Sequence, residues 1–115
     1  MAERERRAEG VRVCGVSDVD PGSARRFDVD GHRVCLVHLG DDWYAVGDRC
    51  SHEDYSLADG EVWDDECEIE CPKHGSTFSL TTGEPQSLPA IAPVPVYGVR
   101  IDGDDVLVTV DGGAS

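Results

Sequence analysis

Two short stretches of this chain carry residue types that bind metal. Cys50 and His52 stand one residue apart in "CSH", Cys71 and His74 stand two apart in "CPKH", and eighteen residues separate the pairs. Thiolate and imidazole together suit zinc, copper or iron–sulfur chemistry. Two loops that each offer one thiolate and one imidazole can close around a single centre. Zinc is the direct rival, because two Cys and two His also complete a tetrahedral site. Zinc modules, however, usually pair Cys with Cys and His with His at short spacings. A mixed C-x-H followed by a mixed C-x-x-H is a different pattern. The stretch between the pairs is also unusual, since nine of its eighteen residues are acidic and none is basic.

The elements that must position these loops read as strands. From Val11 onward, apolar alternation is broken by turn signals. "VRVCGV" is a strand candidate, and "RRFDVDGHRVCLVHL" reads as two strands around Asp30-Gly31, a dipeptide suited to a tight hairpin. "GDDWYAVGD" gives a further turn and strand. "GEVWDDECEIEC" predicts a short hairpin about Asp64-Asp65, and "STFSLTTGE" a strand running into a glycine turn. "VYGVRIDGDDVLVTV" predicts a closing hairpin around residues 102–105. No helix longer than a turn or two, no repeat and no linker is evident. The expectation is an all-β antiparallel domain over residues 11–115, with an insertion at about 49–80 carrying the Cys/His pairs. Residues 1–10 balance three Arg against three Glu and read as a frayed, flexible tail or a helical turn.

Composition narrows the function. The 115 residues suit one domain, and a 39% hydrophobic content excludes disorder by composition. With 24 acidic and 10 basic residues the formal charge is −14, a surface that repels nucleic acid and anionic lipid and favours a basic patch on a partner. The start "MAERERRAEG" has no apolar run to serve as a secretory or twin-arginine signal, and nothing elsewhere approaches a membrane span. The expectation is a soluble cytoplasmic protein, whose five cysteines act as ligands or free thiols in a reducing compartment.

The pattern C-x-H-x(18)-C-P-x-H-G resembles the Rieske [2Fe–2S] motif, and the likeness extends from about Val11 to Val110. The resemblance implies the Rieske fold, antiparallel sheets or a β-sandwich with an inserted cluster-binding subdomain, and one [2Fe–2S] cluster per chain. It implies that Cys50 and Cys71 hold an inner iron, while His52 and His74 hold an outer one. With neutral imidazoles the oxidised cluster and its two thiolates sum to zero, so the reduced form carries a single negative charge. Histidine ligation therefore raises the potential, into a range of roughly −150 to +300 mV. High-potential members add a disulfide between the two loops, but Asp54 or Tyr55 and Lys73 occupy the corresponding positions here. They also carry a Ser two residues and a Tyr four residues after the second His. Ser76 matches the first, and Phe78 replaces the second. Fewer donors to sulfur and many nearby carboxylates place this chain with the low-potential members.

Within the family, the small free-standing ferredoxins pass electrons from a flavin-dependent reductase to a terminal oxygenase, and this chain is similar to them. It has no room for the mononuclear-iron domain of an oxygenase large subunit, so the expectation is an electron carrier and not an enzyme. The alternatives are an accessory or redox-sensing protein of iron–sulfur assembly, and the small subunit of a nitrite reductase. The acidic stretch reads either as a docking face for a basic partner surface or as a solvated hairpin. "LPAIAPVPVY" (88–97) resembles the proline loop that covers the cluster in this family. Cys14 and Cys35 are expected to be buried thiols and Cys67 a spectator. His32 and His38 are expected at the surface, Trp43 and Trp63 in packing roles, and the protein as a monomer.

Overall fold

A computed structural model describes residues 6–7, 10–29, 31–49, 55–63, 65–72, 75–86 and 92–110. They form ten strands in two antiparallel sheets. The larger sheet contains β1 (Arg6–Arg7), β2 (Gly10–Gly15), β3 (Ser23–Val29), β4 (His32–Leu39), β5 (Asp42–Gly47), β9 (Val96–Asp102) and β10 (Asp105–Thr109), in the order β1-β2-β10-β9-β5-β4-β3. The smaller contains β6 (Val62–Trp63), β7 (Glu68–Glu70) and β8 (Thr77–Ser79) in sequence order, inserted between β5 and β9. The only helical elements among the described residues are single 3-10 turns at Val16–Asp18 and Leu57–Asp59. The all-β expectation and the insertion are both present.

The hairpins form where turn chemistry predicted them. Val29 pairs with His32 across residues 30–31, and Asp102 with Asp105 across Gly103, which takes φ +64°. The short hairpin expected about Asp64-Asp65 is the β6–β7 pair. Trp63 pairs with Glu68, leaving four residues, and Cys67 closes the turn with φ +56°. The N-terminal segment differs from a simple tail, because Arg6 pairs with Val11 and Arg7 with Gly10.

β4 explains how the two sheets are joined. Its run Val34-Cys35-Leu36-Val37 is buried on both faces, the condition under which a strand reads as a continuous apolar run and not as an alternation. Val34 and Leu36 face a core built with Val11, Val13, Val106 and Val108 of β2 and β10. Cys35 and Val37 face a second core, shared with Leu57, Ile69, Phe78 and Leu80 of the insertion. The larger sheet thus holds its own core on one side and carries the insertion on the other.

Candidate metal centre

Both expected ligand loops leave from this second core. The first begins at the end of β5. Its two ends are drawn together by a bridge between Arg49 and Ser56 and by the Leu57 amide, which donates to the Asp48 carbonyl at 2.6 Å. The Asp48 side chain is fully buried and accepts from Ser56 Oγ at 2.6 Å and from the Ala58 amide at 2.9 Å. The guanidinium of Arg33, on β4, approaches the same carboxylate at 3.6 Å, and the Asp48 amide donates to the Arg33 carbonyl at 3.0 Å.

The second loop closes on itself. The Cys71 amide, just past β7, donates to the Ser76 carbonyl at 2.7 Å, and the Gly75 amide returns to the Cys71 carbonyl at 3.0 Å. Gly75 takes φ +77°, which its lack of a Cβ permits. The segment from Ser56 to Glu61 ties the two loops to one base. It bonds to Asp48 at one end, and at the other the Glu61 carbonyl accepts from the Glu70 amide at 2.8 Å. Between them Gly60 lies so close to Glu70 that a Cβ would overlap the Glu70 carbonyl and press on Pro72.

Of the four expected ligands, the structure places Cys71: fully buried, in the apolar core with Leu57, Ile69 and Phe78. Cys50, His52 and His74 lie outside the described residues, as do Glu53, Asp54 and Lys73. Among the described residues no three His, Cys, Asp or Glu side chains converge to hold a metal. The surroundings that are placed suit an iron–sulfur cluster: a buried thiol at the root of a closed turn, apolar walls that keep water from sulfur, and a second loop anchored alongside. The thiol and imidazole donor set fits the same group.

The segment leading into β9 packs on the same core through Val94. Pro95 accepts the Gly47 amide at 2.8 Å, the Val94 amide donates to the Gly83 carbonyl at 2.8 Å, and Val94 is buried in the second core. Residues 88–91 of the proline stretch lie outside the described residues. A cleft of about 440 Å³ opens beside the first loop, lined by His32, Arg33, Asp48, Arg49, Pro93 and Tyr97 among others.

Cys14 and Cys35 are buried thiols outside any disulfide, as expected, and burial, with a smaller contribution from Asp48, pushes the Cys35 thiol well above its usual range. Cys67 is half-buried and bonds to the Tyr44 phenol, which that bond pushes up to about 12. Burial also raises the Tyr97 phenol. The free histidines are more engaged than surface residues would be. His38 stacks on Trp43 with centroids 3.9 Å apart, and its Nδ1 meets the Val19 carbonyl at 2.8 Å. His32 meets Tyr97 edge-on at 5.9 Å. Trp43 packs on the first core as expected, whereas Trp63 is 40% exposed, its indole N–H donating to Glu70 at 3.0 Å. Sequence reasoning missed Asp48, Arg33 and Ser56, which organise the first loop.

The described residues thus form a small all-β protein in which two clasped loops leave one apolar core, with a buried thiol at the root of one. Residues 9–98 match the family described as the Rieske [2Fe-2S] domain. The ferredoxin component of biphenyl 2,3-dioxygenase from Rhodococcus jostii (strain RHA1) is 35% identical over 105 residues, 91% of this chain and 96% of that one. The solved ferredoxin of carbazole 1,9a-dioxygenase from Nocardioides aromaticivorans IC177 superposes with a TM-score of 0.85 at 40% identity, covering 89% of this chain and 98% of that one. A further structure, a complex of reduced oxygenase and oxidised ferredoxin in carbazole 1,9a-dioxygenase, matches with a TM-score of 0.79 at 37% identity, covering 85% and 90%. The chain belongs to the Rieske [2Fe–2S] family. It is a ferredoxin-type electron-transfer protein with one [2Fe–2S] cluster, and not itself a catalyst. No helix among the described residues is long and apolar enough to cross a membrane.

Proposed function

We propose that Cys50 and Cys71 ligate the inner iron and His52 and His74 the outer iron of the cluster. The observation that supports this assignment best is the common base of the two loops, with Cys71 buried where they meet the core. When bound, the cluster supplies storage for one electron. The residues around it exclude water, fix the loops and set the charge. The test is direct. Purified protein should carry two irons and two labile sulfides per chain, with a reduced-state EPR spectrum of mixed nitrogen and sulfur ligation. Cys50→Ser and Cys71→Ser should lose the cluster, because metal binding and local order are coupled. One zinc per chain without sulfide would sink the assignment.

The chain passes electrons from a flavin-dependent reductase to the terminal oxygenase of a multicomponent dioxygenase. The dioxygenase ferredoxins among its relatives, and the solved oxygenase–ferredoxin complex, support that role. The nitrite reductase and iron–sulfur assembly readings have weaker support. The potential lies at the low end of the Rieske range, since Phe78 carries no hydroxyl. The partners meet the protein with basic surfaces, opposite the carboxylates of residues 53–70. Residues 11–115 form the cluster-bearing domain, preceded by residues 1–10, whose Arg6–Arg7 pair with β2, and the protein works as a cytoplasmic monomer. Reconstitution with a flavin reductase and an aromatic-ring oxygenase, followed by stopped-flow reoxidation, tests this role. Failure to reduce any such oxygenase would overturn it.

A further inference from the structure

Asp48 is the one fully buried carboxylate among the described residues. A buried charge is retained only where its partners compensate the lost hydration. Here they come from three places in the chain. Ser56 Oγ and the Ala58 amide lie beyond the first loop, at 2.6 and 2.9 Å, and the Arg33 guanidinium lies on β4 at 3.6 Å. Asp48 itself lies just before the loop. Its side chain therefore fastens the far end of the loop to the near end, and Arg33 fastens both to the main sheet. Among the described residues the backbone adds the Leu57 amide to the Asp48 carbonyl and the Arg49–Ser56 bridge.

We propose that Asp48 is a positioning residue for the cluster: by clamping Ser56 and Ala58 to the end of β5 it fixes the span from which Cys50 and His52 are presented. The proposal rests on the assignment of those two residues as ligands. Charge matters as well as shape. Hydrogen bonds to a carboxylate are roughly twice as strong as neutral ones, and a carboxylate, unlike a neutral amide, also pairs its charge with that of Arg33. Removing a group that orients ligands typically weakens metal retention about ten- to a hundredfold.

The experiment compares full-length, cluster-loaded protein with Asp48→Ala, Asp48→Asn, Ser56→Ala, Cys50→Ser and Asp105→Asn. Two quantities are read: the rate of cluster loss in EDTA, followed by visible absorption, and the g values of the reduced EPR spectrum. Asp48→Ala should release its cluster about ten- to a hundredfold faster than wild type, with shifted g values. Asp48→Asn and Ser56→Ala, which keep part of the clamp, should fall between. Asp105→Asn breaks the 2.8 Å pair with Arg12 on β2 and should lower thermal stability without altering release or g values. Wild-type release and g values in Asp48→Ala, alongside a lost cluster in Cys50→Ser, would overturn the clamp and leave the ligand assignment standing. A wild-type cluster in Cys50→Ser would overturn the assignment instead. Should Asp48→Ala fail to fold, wild-type behaviour in both Asp48→Asn and Ser56→Ala would overturn the clamp.

Discussion

Cys67 of the insertion meets Tyr44 of the main sheet at the edge of the core the two share. Cys67 sits at positive φ at the end of the β6–β7 turn, where a glycine would be easier, and its carbonyl accepts the Leu80 amide at 2.9 Å. Its bond to the Tyr44 phenol favours the neutral phenol and raises it to about 12 from a usual value near 10. For a group whose folded value is raised, the stabilisation is fully present below the unfolded value and lost as pH rises through the folded one. The contact therefore weakens between about pH 10 and 12 and contributes fully at neutral pH. Ultraviolet difference titration of Cys67→Ala should show one tyrosine moving back toward 10, and an unchanged titration would mean that the contact does not persist in solution. A second residue-scale expectation concerns the potential. Ser76 and Phe78 are both fully buried close to Cys71. If Ser76 stabilises the reduced state by a hydrogen bond worth about 1 kcal/mol, Ser76→Ala should lower the potential by on the order of 40 mV. Phe78→Tyr should raise it by a similar amount. Unchanged potentials in both would show that neither position addresses the cluster. Asp48 marks the limit of single-residue reading. In "AVGDRC" it looks like any turn aspartate, and only the fold reveals that its partners lie eight and ten residues on and back on β4.

At the scale of elements, the hairpins were legible because Asp-Gly turns and alternation are local signals. The pairing of β10 with β2 and of β9 with β5 was not, because it joins strands far apart in sequence and depends on which faces find a shared core. The Cys/His loops were recognisable from spacing, yet the Ser56–Glu61 strap that unites them carries no motif. β4 separates two cores, so their defects should be separable too. Val106→Ala in the first core and Leu80→Ala in the second both remove fully buried side chains. Each should lower unfolding free energy, by roughly 1–3 kcal/mol for Val106 and about 2–5 kcal/mol for Leu80. Only Leu80→Ala should also hasten cluster loss, because its core is the one that holds Cys71. Equal acceleration in both variants would mean that the two cores respond as one cooperative unit. Gly60→Ala should act like Leu80→Ala, since the new methyl must displace the Glu70 backbone that leads into Cys71.

Across the whole chain, acidic residues are densest between the two ligand pairs. The formal charge is −14, and nine carboxylates with no basic residue fall between the two ligand pairs. Asp59, Glu61, Asp65 and Glu66 are exposed on the insertion, and β7 leads from the turn that carries Asp65 and Glu66 into Cys71. Outside the insertion, exposed Asp104 lies at the β9–β10 turn. Long-range attraction speeds encounter with a basic surface, and salt screens it over about 8 Å at physiological ionic strength. Electron transfer to the oxygenase should therefore slow steeply as salt rises. Position matters beyond total charge if docking uses the insertion. Asp65→Lys with Glu66→Lys should slow the second-order rate at low salt by about tenfold or more, and Asp104→Lys with Asp20→Lys far less, although both pairs change the net charge equally. Asp105 is unsuited as the distant control, since it pairs with Arg12 and its reversal would disturb β2 and β10. Stopped-flow rates across a salt series, with the potential of each variant measured alongside, distinguish docking from driving force. Equal slowing by the two pairs would mean that the molecule steers by its overall field and that the insertion offers no local docking face.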